Sequence, residues 1–192
     1  MIVIKKVETK KQLAAFVDFP HKLYEGDKNY VPELHIAQRD VLTPGKHPFH
    51  NHSSMQLFDG DVIKGRIAAI LNNNHNKLKN VTDGFFGFYD LYNNQEVSKK
   101  LLAEARKWLI EKGATKMIGP VNPSTNETAG LLVEGFDSPA VAMMTYNNLY
   151  YLDLLTADGF IKSVDLLAYN LPTNVVDKRS LKLKETLRKR LA

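Results

Sequence analysis

Met55-Gln56-Leu57-Phe58-Asp59-Gly60-Asp61-Val62-Ile63-Lys64-Gly65-Arg66-Ile67-Ala68-Ala69-Ile70-Leu71 sets two apolar runs on either side of an Asp-Gly pair. Asp-Gly suits the positive backbone angles of a tight two-residue turn, so the stretch reads as a hairpin turning at Asp59-Gly60. Its strands are residues 55–58 and 62–71. Residues 85–89 supply a third strand of the same sheet, reached through a polar loop at 72–80. The next segment, 96–111, has the strongest helical period in the chain. Val97, Leu101, Leu102, Ala105, Trp108 and Leu109 fall on one stripe, and Gly113 stops the helix.

Towards the N-terminus, Ile2, Ile4 and Val7 mark a first strand. A helix follows from about Thr9, with Leu13, Phe16 and Val17 on one face, and is expected to break at Pro20. Residues 25–49 are rich in Pro, Gly, His and Asp but also carry Tyr24, Tyr30, Val31, Leu34 and Ile36 at or near them. Those apolar groups need burial, which predicts a packed functional loop with short helical turns near 33–41. Towards the C-terminus come a short strand at 116–119 and another at 140–144. A helix at 149–157 closes at Gly159, and a long final strand covers 160–171. This order predicts an α/β domain around a mixed sheet.

Composition supports a folded chain. Of 192 residues, 44% are hydrophobic and 24% charged, which excludes wholesale disorder. No apolar run approaches the ~20 residues that a membrane-spanning helix needs. The absence of cysteine fits a reducing compartment, so the expected location is cytoplasmic. The net charge of +5 is uneven. Residues 178–192 carry seven basic side chains against Glu185 alone, and this +6 leaves the preceding chain near −1. Such a tail reads as a solvated helix face, and neither nucleic acid nor membrane is an expected partner. Leu183, Leu187 and Leu191 repeat at four-residue spacing within it, so it is expected to dock on another surface.

Two groups of residues go beyond a generic α/β pattern. The first is Gly65-Arg66-Ile67-Ala68-Ala69-Ile70 followed by Gly84-Phe85-Phe86-Gly87-Phe88. The second runs through Ile118-Gly119-Pro120-Val121-Asn122-Pro123-Ser124-Thr125-Asn126-Glu127, then Glu134-Gly135-Phe136-Asp137, then Met144-Thr145-Tyr146-Asn147-Asn148-Leu149-Tyr150-Tyr151. With Pro48-Phe49 and Gly159-Phe160-Ile161-Lys162, these resemble a little-characterised bacterial family of GNAT-like (acyl-CoA N-acyltransferase fold) proteins, over most of the chain to about Leu171. The resemblance implies a mixed, curved β-sheet with splayed central strands flanked by helices. It implies a GNAT-like domain at 1–171, with 172–192 a basic helical tail or a linker to a second GNAT-like half.

The resemblance also shows where acyl-CoA would bind. Enzymes of this fold hold the pyrophosphate on backbone N–H groups of a glycine-rich loop at the start of the main helix, where unpaired donors and partial positive charge favour an anion. The equivalent positions are Asn94, Gln95, Glu96, Val97 and Ser98, and the two pattern glycines fall on Glu96 and Ser98. The loop is therefore expected to grip CoA weakly or not at all, with Asn93 or Asn94 acting as an ordinary cap. The tyrosine that serves as general acid in many such enzymes would fall on Leu155, leaving Tyr150 and Tyr151 one turn earlier as substitutes, with Tyr150 the candidate acid and Glu134 the candidate base. Asn126, Tyr146 and Asn147 are the candidate substrate-binding residues.

Two other constellations have simpler readings. His47, His50 and His52 lie close in sequence, but the Pro-containing loop and missing fourth ligand argue against a metal site. Ser124-Thr125-Asn126-Glu127 matches a capping box before the apolar Leu131-Leu132-Val133. The functional expectation is an acyltransferase-related domain, binding a small-molecule or amine substrate or acting as a scaffold. No cofactor is expected unless the domain is active, in which case it would use acetyl-CoA or another acyl-CoA. A second GNAT-like half or self-association is the expected protein partner.

Overall fold

A computed structural model describes residues 2–60, 64–124, 127–169 and 177–191. The chain divides into two compact units, 1–161 and 162–192.

The first unit is built on a five-stranded sheet in sequence order β1-β2-β3-β4-β5. β1 (Ile4–Lys6), β2 (Ser54–Gly60), β3 (Gly65–Leu71) and β4 (Asp83–Leu91) pair antiparallel, and β5 (Lys116–Ile118) joins β4 in parallel. The hairpin is present, but its turn is not at Asp59-Gly60. Asp59 pairs with Arg66 and Gly60 with Ile4, so both belong to β2. The connection falls on 61–64, of which 61–63 lie outside the described residues.

β3 is buried on both faces, which explains its unbroken apolar run. Ile67 and Ala69 face one core with Phe58, and Ala68 and Ile70 face the other with Leu57. α4 (Gln95–Glu111) covers the first face, with its whole expected stripe buried and Asn94 as cap through its side chain to the Val97 N–H. α5 (Tyr151–Ala157) adds Tyr151, Leu154 and Leu155 to that core. The opposite face is covered by α1 (Lys10–Leu23), α2 (His35–Leu42) and a 3-10 turn at Pro48–Asn51. α1 starts on a capping box between Thr9 and Gln12 and runs through Pro20, where a break was expected. Pro20 is tolerated late in the helix, and its own carbonyl still accepts the Tyr24 N–H.

Other expectations also give way to the structure. The polar loop at 72–80 contains α3 (Asn73–Lys79), capped by Asn72. No strand forms at 140–144, where a turn carries Met143 at φ +68°. Glu127 starts no helix, and 128–149 has no regular helix or strand. Within the second unit, 162–169 is irregular rather than a strand, with Leu167 and Tyr169 exposed. Phe160 and Ile161 are irregular as well, Phe160 being partly buried against the α4 core, while 170–171 lie outside the described residues. α6 (Lys178–Leu191) follows. Among the described residues no helix is long and apolar enough to cross a membrane.

Candidate functional site

The sheet opens between β4 and β5. They pair only at Asp83–Phe85 with Lys116–Ile118, while β4 continues to Leu91. Gly87 and Gly119, both in the motifs quoted above, let the chain after β5 press against β4. A Cβ on Gly87 would lie 2.5 Å from Asn122 Oδ1, and one on Gly119 would lie 2.5 Å from the Phe86 carbonyl oxygen. Val121 then donates its N–H to that carbonyl at 2.7 Å.

Beyond this point β4 bulges. Arg66 pairs with Asp90 but Ala68 with Gly87, so Phe88 and Tyr89 together face Ile67. Phe88 takes a left-handed φ of +47°, unusual for an aromatic residue, and Asn122 Oδ1 accepts its N–H at 3.0 Å. The bulge reverses the alternation. Phe86, Tyr89 and Leu91 face the α4 core, whereas Phe85 and Phe88 face the α1 core.

Among the described residues no strand meets Leu91 on its open side; tyrosines from the start of α5 do. Tyr151 accepts the Leu91 N–H at 3.0 Å, and Tyr150 donates to the Leu91 carbonyl at 2.7 Å. Asn148 donates to Tyr150, and Tyr24 donates to Tyr151. Tyr30 stacks on Tyr24 at 4.5 Å, and Tyr146 packs edge-on against Tyr24 while its hydroxyl donates to Asp27. Burial pushes the phenols of Tyr24, Tyr30, Tyr89 and Tyr151 above the ordinary tyrosine range. Burial also moves Tyr146 and Tyr150 up to about 12. All six phenols stay protonated near neutral pH, so this wall can donate protons or hydrogen bonds but cannot act as a base.

Beneath the wall lies a buried charge. Arg66 Nε contacts Asp90 Oδ2 at 2.8 Å, and its guanidinium also bonds the Phe16 carbonyl and Gln38 Oε1. The guanidinium lies over the Phe16 and Phe88 rings.

The start of α4 is tied to α5. Gln95 donates to the Leu154 carbonyl at 3.3 Å. Ser98 is fully buried, donating to Asp158 Oδ2 while accepting from Tyr89. Its hydroxyl points inward, not toward an open loop. Glu96 is 61% exposed at its side chain and pairs with Lys100 at 2.9 Å, leaving the helix donors alone. That pairing holds its carboxyl below the usual range, chiefly through the hydrogen bond from Lys100.

The remaining candidates separate. Glu134 is exposed, and among the described residues it has no hydrogen-bond or ion-pair partner. Asn147 is buried and clamps Leu132, accepting its N–H at 2.7 Å and donating to its carbonyl. Asn126 lies outside the described residues. The loop imidazoles turn to different partners: His47 to the Phe49 N–H, His50 to the Val41 carbonyl, and His52 to Ser53. Among the described residues no three potential ligands converge on a metal position.

Sequence reasoning missed two pairs. Arg66 and Asp90 had a readable signal, as opposite charges at facing positions of two largely apolar strands. Glu127 and His47 had none. They meet at 3.8 Å between irregular segments, and burial raises the Glu127 carboxyl.

Comparison with known proteins agrees with this architecture. No family model matches the chain. It is 34% identical over 170 residues to Protein YghO of Escherichia coli, covering 87% of this chain and 43% of that protein. It is 34% identical over 167 residues to the bacterial ceramide synthase of Caulobacter vibrioides, covering 85% of this chain and 44% of that one. The chain thus spans less than half the length of these curated relatives. Among solved structures, a Pyrococcus furiosus protein proposed as an acetyl transferase superposes with a TM-score of 0.52 at 9% identity, covering 89% of this chain and all of that one. The fold is the GNAT-like mixed α/β sheet, open between β4 and β5.

Proposed function

We propose that the chain is a GNAT-like domain of an acyltransferase-related protein, and that it binds substrate or scaffolds a partner half instead of performing standard acetyl transfer. One observation carries this reading: both main-chain groups of Leu91, at the open end of β4, are taken by Tyr150 and Tyr151. A linear ligand entering between β4 and β5 would have to displace the buried Tyr151 and the half-buried Tyr150 from buried backbone groups. The α4 start favours the same reading, because Ser98 and Gln95 are already committed to α5. Glu96 contributes less than its charge suggests, since it is exposed and neutralised by Lys100.

Calorimetric titration with acetyl-CoA tests the proposal. No binding is expected at micromolar concentrations, and Glu96→Gly should change this little. Micromolar binding that free CoA competes away would favour an active domain instead.

The relative named as a ceramide synthase favours that second reading. Ceramide formation acylates a long-chain amine: the nitrogen attacks an acyl thioester, the C–S bond breaks, and the thiol leaves with a proton. Tyr150 would supply that proton after releasing the Leu91 carbonyl, and its phenolate would be restored by the proton that the attacking nitrogen gives up. Release of free CoA thiol from a long-chain acyl-CoA, dependent on a long-chain primary amine and lost in Tyr150→Phe, would support it.

A further inference from the structure

We propose that α6 lies on an anionic lipid surface, with Leu183 and Leu187 set into the acyl region and its lysines and arginines on the phosphates. The proposal rests on this helix alone and not on the acyl-transfer reading. Asp177 starts the helix, its carboxylate accepting the Arg179 N–H and its carbonyl the Leu181 N–H. At 3.6 residues per turn, Leu183 and Leu187 stand on one strip. They are 60% and 47% exposed. Arg179 and Arg190 flank the strip on one side and Lys184 on the other, while Lys178, Lys182, Arg188 and Lys189 lie toward the far face, which also carries Leu181.

This layout selects among partners. A nucleic acid would neutralise the cations but leave the leucines in water. A protein groove would have to combine an apolar floor with acidic walls along the whole helix. A bilayer carrying anionic headgroups offers both at once, since long basic side chains extend to phosphates while the strip sinks between acyl chains. The concentration of charge supports this, because seven basic residues meet only Glu185 in the helix while the rest of the chain is near neutral. That no helix among the described residues is long and apolar enough to cross a membrane does not bear on binding at the surface.

The test uses the full chain and sedimentation with vesicles of phosphatidylcholine, alone or mixed with phosphatidylglycerol. Binding to the mixed vesicles should exceed binding to the neutral ones by more than about tenfold, because each basic residue adds to the attraction. It should weaken in high salt. Leu183→Ser with Leu187→Ser should reduce binding by about tenfold or more. Leu183→Met with Leu187→Met keeps the strip apolar and should bind like the parent. The proposal is overturned by no binding to the mixed vesicles at low salt, by serine variants that bind unchanged, or by methionine variants that fail like the serine ones. A single-stranded RNA bound more tightly than the mixed vesicles, independently of the leucines, would overturn it in favour of a nucleic-acid surface.

Discussion

Tyr151 accepts the backbone N–H of Leu91 at 3.0 Å, so a side chain from α5 occupies the place where a neighbouring strand would bond β4. Buried main-chain groups require partners, and at this end of the sheet the next strand has already parted. The tyrosine therefore closes the sheet and fixes α5 against it.

That arrangement predicts unequal costs for two similar substitutions. Tyr151 is 1% exposed, and Tyr151→Phe leaves the Leu91 N–H buried without an acceptor. A loss of about 1–3 kcal/mol is expected. Tyr150 is only half-buried, so water can replace its hydroxyl at the Leu91 carbonyl, and Tyr150→Phe should cost about 0.5–1.5 kcal/mol. Urea unfolding of both variants checks the order; a larger loss for Tyr150→Phe would contradict it.

The Arg66–Asp90 pair leads to a second prediction. Arg66→Met removes a buried guanidinium and leaves Asp90, 13% exposed at its side chain, without its cation. A loss of about 3–5 kcal/mol is expected. Adding Asp90→Leu removes the orphaned charge, so the double variant should be more stable than Arg66→Met alone. It should stay below the parent, because the Phe16 carbonyl and Gln38 Oε1 also lose their donor. Equal stability of single and double variants would show that the carboxylate needs no partner.

A third prediction concerns acid. His21 stacks on His35 at 4.1 Å, and its Nε2 is buried without a hydrogen-bond partner. Burial, with His35 as a second cause, lowers its pKa. A base with a depressed folded pKa contributes stability above its unfolded value near 6.5, and loses that contribution as pH falls toward the folded value. Thermal stability should therefore fall with acid below about pH 6.5, and His21→Phe should flatten that part of the profile. Asp18, Lys22, Glu33, Arg66 and Tyr30 are the other titratable groups near this stack. An unchanged profile in His21→Phe would assign the acid sensitivity to a group other than His21.

Legibility followed the range of the interactions. The α4 stripe and its Asn94 cap were readable because a helix announces its buried face every three or four residues. The β2–β3 pairing was readable from its apolar runs, yet the turn was displaced by a few residues. The Asp-Gly pair is a local signal, and pairing of Gly60 with Ile4 and of Asp59 with Arg66 overrode it. Alternation at 140–144 and 160–169 suggested strands that do not form. Apolar alternation permits a strand, but a partner edge in register is needed to make one.

By itself the sequence determined the α/β class and the strand–helix–strand passage from β4 through α4 to β5. These depend on residue type and short-range spacing. Tertiary structure alone decided what individual residues face. It turned Ser98 inward to Tyr89 and Asp158, paired Glu96 with Lys100, and brought Tyr24, Tyr150 and Tyr151 to the end of β4. Tyr24 and Tyr151 are separated by 127 residues. No periodicity spans that distance, because such contacts are set by how the sheet and its covering helices pack.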